Sequence, residues 1–172
     1  KKFTKIPIID VIHPSVIQAC KTTKTQHIGI IGTETTIQSH EYNKQIKAKN
    51  KKIKIYSKAC PLLVPIIEEG LFNHIIARQV TEMYFKTFKT KKIDTLILGC
   101  THYPIMTNII KNNLSTSIQI VDSAKITANY VKKYLKEKNN ISSNHLKPKN
   151  QYFVSDKVSR FQQLANMFLE EK

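Results

Sequence analysis

Apolar runs of strand length, each followed by a segment with a helical pattern, constrain the fold of this chain more than any other feature. Residues 26–32 and 94–98 have the composition of strands that are buried on both faces of a sheet. Further strands that alternate with helical segments are predicted at residues 6–12, 117–123 and 151–155. Residues 52–56 alternate between polar and apolar side chains, which predicts a strand nearer an edge of the sheet. Strands that alternate with helices predict an α/β fold with a parallel sheet.

Residues that commonly begin or end helices bound the helical segments. Thr33 can cap a helix, Pro104 suits a first helical position, and Gly70 ends a helical turn. Helices are predicted over residues 14–23, 33–48, 60–70, 73–88, 104–113, 124–137 and 158–171. Within residues 73–88, the spacing of apolar side chains predicts an inward face made of Ile76, Val80, Met83 and Phe88.

The run at residues 94–98 is followed directly by Gly99, Cys100, Thr101 and His102. Open α/β sheets bind ligands at the carboxyl ends of their strands. Residues two apart in an extended segment face the same side, so Cys100 and His102 can enter one pocket. A thiol beside a helix start and a histidine is a candidate nucleophile or proton-transferring group. Because cysteine is also among the most buried residue types, a core role for Cys100 is the alternative.

The formal net charge of +16 raises the question of nucleic-acid binding. Nearly all of the basic residues are lysine, and only Arg78 and Arg160 are arginine, whereas phosphate and base contacts favour arginine. Because the lysines are scattered along the chain, we interpret them as solvated surface and expect no specific nucleic-acid binding. A basic binding module is the alternative from a different class of protein.

The cysteine count and the apolar runs exclude several other classes. The three cysteines have no regular spacing, which argues against a disulfide scaffold and for a reducing compartment. No cysteine or histidine pair has the spacing of zinc ligands, so no metal site is predicted. No apolar run approaches the roughly 18 residues of a membrane-spanning helix, so no membrane partner is predicted.

Residues 98–104, Leu-Gly-Cys-Thr-His-Tyr-Pro, resemble the second signature of the bacterial glutamate racemases, in the aspartate/glutamate racemase superfamily. Residues 26–33, 59–65 and 121–123 also resemble that family, in the same order. The resemblance extends over essentially all 172 residues. It implies two pseudo-symmetric α/β domains facing each other across a cleft, which racemise glutamate with no cofactor and no metal.

The resemblance also implies a role for each site residue. In this family two cysteines act from opposite faces of the substrate Cα, because inversion needs a base on one face and an acid on the other. Cys100 resembles the second of these cysteines, His102 the group that assists it, and Glu68 the carboxylate that orients the histidine. Glu69 is the alternative to Glu68. Hydroxyls that bind the substrate are implied at Thr101, Thr33 and Thr36.

The first signature of the family does not occur in the chain. We find neither its N-terminal Asp-Ser-Gly nor its Ala-Cys-Asn-Thr, which carries the first cysteine. Residues 19–22, Ala-Cys-Lys-Thr, are similar but lie within a predicted helix. We therefore interpret Cys20 as a core or half-buried residue and Cys60 as a structural one.

These observations divide the chain into a complete and an incomplete part. We expect one complete domain over residues 9–121, and part of the other domain from residues 1–8 and 122–172. The implied function is interconversion of L- and D-glutamate by a cytoplasmic homodimer, supplying D-glutamate for peptidoglycan. A racemase of aspartate or another amino acid, or an inactive fragment, is the alternative.

Overall fold

The computed structural model describes residues 6–114, 117–142, 151–156 and 158–169. Its strands all run parallel in one sheet with the spatial order β2-β1-β3-β4. The strands are β1 (His27–Gly32), β2 (Lys54–Ala59), β3 (Thr95–Leu98) and β4 (Gln119–Asp122). The predicted α/β fold with a parallel sheet is therefore confirmed.

Helices connect the strands and continue the chain after β4. They are α1 (Ile12–Thr22), α2 (Glu34–Gln38), α3 (Glu41–Lys49), α4 (Leu63–Glu68), α5 (Ile75–Phe85), α6 (Thr107–Asn112), α7 (Ser123–Glu137) and α8 (Val158–Leu169). Short 3₁₀ turns follow α5 at Lys86–Phe88 and precede α6 at Tyr103–Met106. None of the helices in the described ranges is long and apolar enough to cross a membrane.

Helices cover both faces of the sheet and form two layers of core. On one face, α4, α5 and α6 pack against Leu96 and Leu98. On the other face, α1, α3 and α7 pack against Ile28, Ile30 and Ile97. The two sets alternate along the strands because successive strand residues point to opposite faces. Each of these fully buried aliphatic side chains contributes about 1.5–3 kcal/mol by leaving water.

Two of the predicted strands are wrong. Residues 6–10 are not extended into a sheet, because the Asp10 carboxylate accepts hydrogen bonds from the Ile12 and His13 amides at 2.8 Å and 2.7 Å and so begins α1. Residues 151–155 also form no strand, and Phe153 is 87% exposed there. In both places the residues are apolar but no neighbouring strand lies alongside them in the described chain.

Two of the predicted helices differ from the structure in detail. The helix expected over residues 33–48 is divided into α2 and α3 at His40, whose φ of 54° is left-handed and interrupts helical geometry. In α5 the predicted inward face is wrong at Ile76 and Met83, which are 42% and 50% exposed. The last helix is confirmed as far as Leu169. Its predicted end at residues 170–171, and most of the predicted loop at residues 139–150, lie outside the described residues.

Candidate active site

The parallel sheet brings the predicted site residues to one edge. Thr33 follows the end of β1, Cys100 follows the end of β3, and Glu68 ends the helix after β2. In a parallel sheet the carboxyl ends of all strands lie on the same side, which is where α/β proteins bind ligands. Residues that are far apart in the chain therefore meet at this edge.

Cys100, His102 and Glu68 form a continuous line of polar atoms. Cys100 Sγ lies 3.7 Å from His102 Nδ1. On the other side of the imidazole, His102 Nε2 lies 3.2 Å from Glu68 Oε1, with both side chains partly exposed. A carboxylate at Nε2 favours the tautomer with its proton there, which leaves Nδ1 free to accept a proton from the thiol. The structure thus brings together the three residues predicted as catalytic.

The surroundings of Cys100 act on its proton in opposite directions. Burial raises the pKa of the Cys100 thiol above its ordinary value. The backbone N–H groups of His102 and Tyr103 lower this pKa, and the negative charge of Glu68 raises it. The net effect is a raised pKa, so the thiol holds its proton at neutral pH and needs a neighbouring base to release it.

Gly99 is required by the close approach of β1 to Cys100. Its N–H donates to the Ile31 carbonyl at 2.7 Å. A Cβ on Gly99 would lie 2.8 Å from that carbonyl oxygen, and 3.5 Å from the methyl group of Thr36. The absence of a side chain therefore allows the threonines after β1 to lie next to the segment that carries Cys100.

The threonines after β1 are held in place by each other and by α2. Thr33 caps α2, since its hydroxyl accepts a hydrogen bond from the Thr36 amide at 3.3 Å. The two hydroxyls are themselves 2.9 Å apart. Thr101 is exposed, directly beside Cys100. All three hydroxyls predicted to bind substrate therefore lie at the same edge of the sheet.

Several residues that support this site are not predicted from the sequence. Tyr103 is fully buried and its hydroxyl donates to the Cys60 carbonyl at 3.0 Å. The Ser123 hydroxyl donates to the Leu98 carbonyl at 2.8 Å and so joins α7 to the end of β3. On α8, Arg160 contacts Glu68 and Glu69, and the ring of Phe168 contacts the ring of His102. Only the scarcity of arginine in the chain distinguished Arg160 in advance.

The other cysteines and the alternative carboxylate lie away from the line of polar atoms. Cys60 is fully buried, and burial raises the pKa of its thiol to about 12. Cys20 is half-buried in the core layer on the opposite face of the sheet from Cys100. Glu69 Oε1 lies 2.9 Å from Arg160 rather than beside His102. Within the described ranges, no three His, Cys, Asp or Glu side chains are grouped so as to hold a metal ion.

Comparison with known proteins decides the family. The model of the Asp/Glu/hydantoin racemase family matches residues 1–131. The chain belongs to this family. Its racemase relatives include the glutamate racemase of Persephonella marina, 41% identical over 162 residues that cover 94% of this chain and 60% of the relative. The glutamate racemase of Chlorobium phaeobacteroides is 38% identical over 165 residues, which cover 96% of this chain and 61% of the relative.

Solved racemase structures share the fold of this chain. A glutamate racemase isoform from Bacillus anthracis superimposes with a TM-score of 0.93 at 37% identity, over 99% of this chain and 64% of that one. The glutamate racemase of Francisella tularensis in complex with D-glutamate gives a TM-score of 0.90 at 33% identity, over 98% and 62% of the two chains. This chain thus spans about three fifths of the length of its relatives.

Proposed function

We propose that this chain supplies the Cys100 side of a cofactor-independent glutamate racemase. The observation that carries the proposal is the line from Cys100 Sγ through His102 to Glu68, at the carboxyl edge of the sheet. A thiol, an imidazole and a carboxylate in series can hold and move one proton. Family membership supports racemisation as the reaction, and the names of the relatives support glutamate as the substrate.

The proposed reaction transfers one proton at each face of the substrate. His102 Nδ1 accepts the proton of Cys100, and the resulting thiolate removes the proton from Cα of glutamate. The electron pair of the broken C–H bond delocalises into the substrate carboxylate. A second thiol on the opposite face then donates a proton to Cα, and the configuration is inverted. The reverse reaction uses the same groups with acid and base exchanged.

Substrate binding is proposed to use hydroxyl and amide groups of the same edge. The hydroxyls of Thr33, Thr36 and Thr101 can donate to the carboxylates of an amino acid. The second thiol is proposed to belong to the domain that residues 1–8 and 122–172 share with sequence outside this chain. The complex of the Francisella tularensis relative with D-glutamate is consistent with this choice of ligand.

The cellular role is inferred from the family resemblance alone. We infer that the enzyme acts in the cytoplasm as a homodimer and supplies D-glutamate for peptidoglycan. Its function in cell-wall biogenesis would make cell shape depend on its activity. The low cysteine content is compatible with a reducing compartment.

The decisive experiment is a racemisation assay on the protein expressed from its complete reading frame. The protein is incubated separately with L-glutamate and L-aspartate, and the D-enantiomers are quantified by chiral chromatography. We expect D-glutamate and little D-aspartate. Formation of D-aspartate alone would mean that the substrate is aspartate and not glutamate. Formation of neither D-amino acid by the folded protein would overturn the proposed function.

A further inference from the structure

α8 lies against the candidate active site, although it is far from the site in the chain. Three of its half-buried residues, Arg160, Leu164 and Met167, recur at helical spacing and share one face. Met167 packs against the core layer to which α4 belongs. Contacts at both ends of this face reach the Glu68–His102 pair.

Arg160 contacts the backbone of Glu68, whose carboxylate faces His102. Its Nη2 donates to the Glu68 carbonyl oxygen and also lies 2.9 Å from Glu69 Oε1. Glu68 is the last residue of α4, and the final carbonyls of a helix have no intrahelical donor. A guanidinium at this end satisfies a carbonyl and complements the helix dipole. Glu69 is 68% exposed, so its ion pair with Arg160 is the weaker contact.

Phe168 contacts the other member of the pair. Its ring meets the His102 ring edge-on, with centroids 5.5 Å apart and an interplanar angle of 87°. It lies about two helical turns after Arg160, so one side of α8 reaches both residues. An edge-to-face contact favours one orientation of the imidazole plane.

We propose that α8 positions the Glu68–His102 pair, with Arg160 holding the backbone of Glu68 and Phe168 holding the ring of His102. The proposal rests on the function proposed above for Cys100 and His102. Arg160 acts through Glu68 and is therefore a positioning residue. Its loss should slow proton transfer more than it weakens substrate binding, because its described contacts are to α4 and not to the threonines after β1.

Kinetics of variants in the full-length protein test the first part of the proposal. Arg160→Met should lower kcat about 10-fold or more while KM changes by about twofold or less, since a small misplacement of a catalytic group is costly. Arg160→Lys should recover part of the loss, because an ammonium can still reach the carbonyl. Gln163→Met, an exposed position on the same helix, is the matched control and should leave kcat unchanged.

Glu69→Gln separates the two contacts of Arg160, because it removes the ion pair and keeps the contact with the Glu68 carbonyl. We expect it to keep at least about half of the wild-type kcat, as an exposed ion pair contributes little. An unchanged kcat in Arg160→Met, or an equal loss in Glu69→Gln, would overturn the role assigned to Arg160.

Nuclear magnetic resonance of the histidine ring nitrogens tests positioning without turnover. His102→Gln identifies the His102 signals, which should indicate a proton on Nε2 in the wild-type protein. Arg160→Met and Phe168→Leu should each shift these signals toward a mixture of tautomers, and unchanged signals would refute the proposal. If Arg160→Met fails to fold, the His102 signals of Arg160→Lys and Phe168→Leu are compared with those of the wild-type protein instead. A wild-type protein that does not racemise glutamate would overturn the proposed function, while this measurement would still decide the role of α8.

Discussion

At the scale of single residues, the candidate site combines a thiol that holds its proton with a neighbour able to remove it. Burial raises the pKa of Cys100, and two backbone N–H groups only partly oppose that effect. His102 Nδ1, at 3.7 Å, is the base nearest to the sulfur among the contacts described. In the proposed mechanism the thiolate forms when the imidazole accepts the proton of the thiol, so His102 and Cys100 would act as a unit.

Substitution of Cys100 tests whether the sulfur carries the proton. Cys100→Ser in the full-length protein should lower kcat for glutamate racemisation about 1,000-fold or more, because the hydroxyl is a far weaker acid than the thiol. Chiral chromatography of the products measures the loss. Cys20→Ser is the matched control and should racemise normally, since Cys20 lies in the core layer on the other face of the sheet. Near-normal racemisation by Cys100→Ser would show that Cys100 does not carry the proton.

The pH dependence of alkylation tests the electrostatics at the same residue. Because only the thiolate reacts with iodoacetamide and burial raises the pKa of Cys100, its alkylation rate should rise with pH from neutral upward. The charge of Glu68 also raises this pKa, so Glu68→Gln should move the rate profile to lower pH. Peptide mass spectrometry separates Cys100 from Cys60, which stays unreactive in the folded protein because it is fully buried. A profile that does not move in Glu68→Gln would contradict this effect of the Glu68 charge on Cys100.

The residues in line with the thiol could be predicted from the sequence, but those that support them could not. Cys100 and His102 are two positions apart after a recognisable strand, and Glu68 follows from the family resemblance. Arg160 and Phe168 reach the site only because α8 packs beside α4. Their local sequence contains nothing that fixes such a long-range contact.

At the scale of elements, α5 explains why a helix can be predicted correctly and its buried face wrongly. The apolar residues Ile76 and Met83 define one stripe, but the structure buries the stripe that contains Ala77, Thr81 and Tyr84. The polar side chains of that stripe form hydrogen bonds. The Thr81 hydroxyl donates to the Ala77 carbonyl at 2.7 Å, and the Tyr84 hydroxyl accepts from the Leu62 amide at 3.2 Å. A count of apolar residues does not register such hydrogen bonds, so periodicity alone selects the wrong face.

Asp94 joins the α1–β1 connection to the start of β3. Burial raises the pKa of the Asp94 carboxyl, but its hydrogen bonds together have the larger effect and lower the pKa to about 2. The donors are Thr23, Thr25, Lys24 and Thr95. A carboxylate with a lowered pKa stabilises the fold fully above its unfolded pKa of 3.8 and loses that contribution as the pH falls through about 2.

Asp94→Asn should therefore lower the free energy of unfolding at pH 7 by about 1 kcal/mol, a value reduced by solvent screening of a partly exposed group. The difference from wild type should shrink as the pH approaches 2, as measured by urea unfolding at several pH values. Glu82→Gln, which breaks an exposed ion pair to Lys89 at 3.6 Å, is the control and should change stability by less than about 0.5 kcal/mol. Equal effects of the two substitutions would contradict the role of Asp94.

At the scale of the whole molecule, the predicted strands that have a neighbouring strand are correct, whereas the predicted strands that have none are wrong. The runs that became β1, β2, β3 and β4 pair with one another in register. The runs at residues 6–12 and 151–155 are also rich in apolar residues but leave Ile6, Ile8 and Phe153 exposed at 74%, 64% and 87%. Composition indicates that a segment can form a strand, whereas pairing depends on which other segments lie beside it.

These 172 residues by themselves should not racemise glutamate. Inversion needs an acid and a base on opposite faces of Cα. Cys100 can serve one face, but Cys60 is fully buried and Cys20 packs on the other side of the sheet. Incubation of the purified chain with L-glutamate should therefore give no D-glutamate by chiral chromatography, whereas the product of the complete reading frame should give it. Racemisation by the chain alone that is lost in Cys100→Ser would mean that one thiol suffices, and would refute the two-sided mechanism.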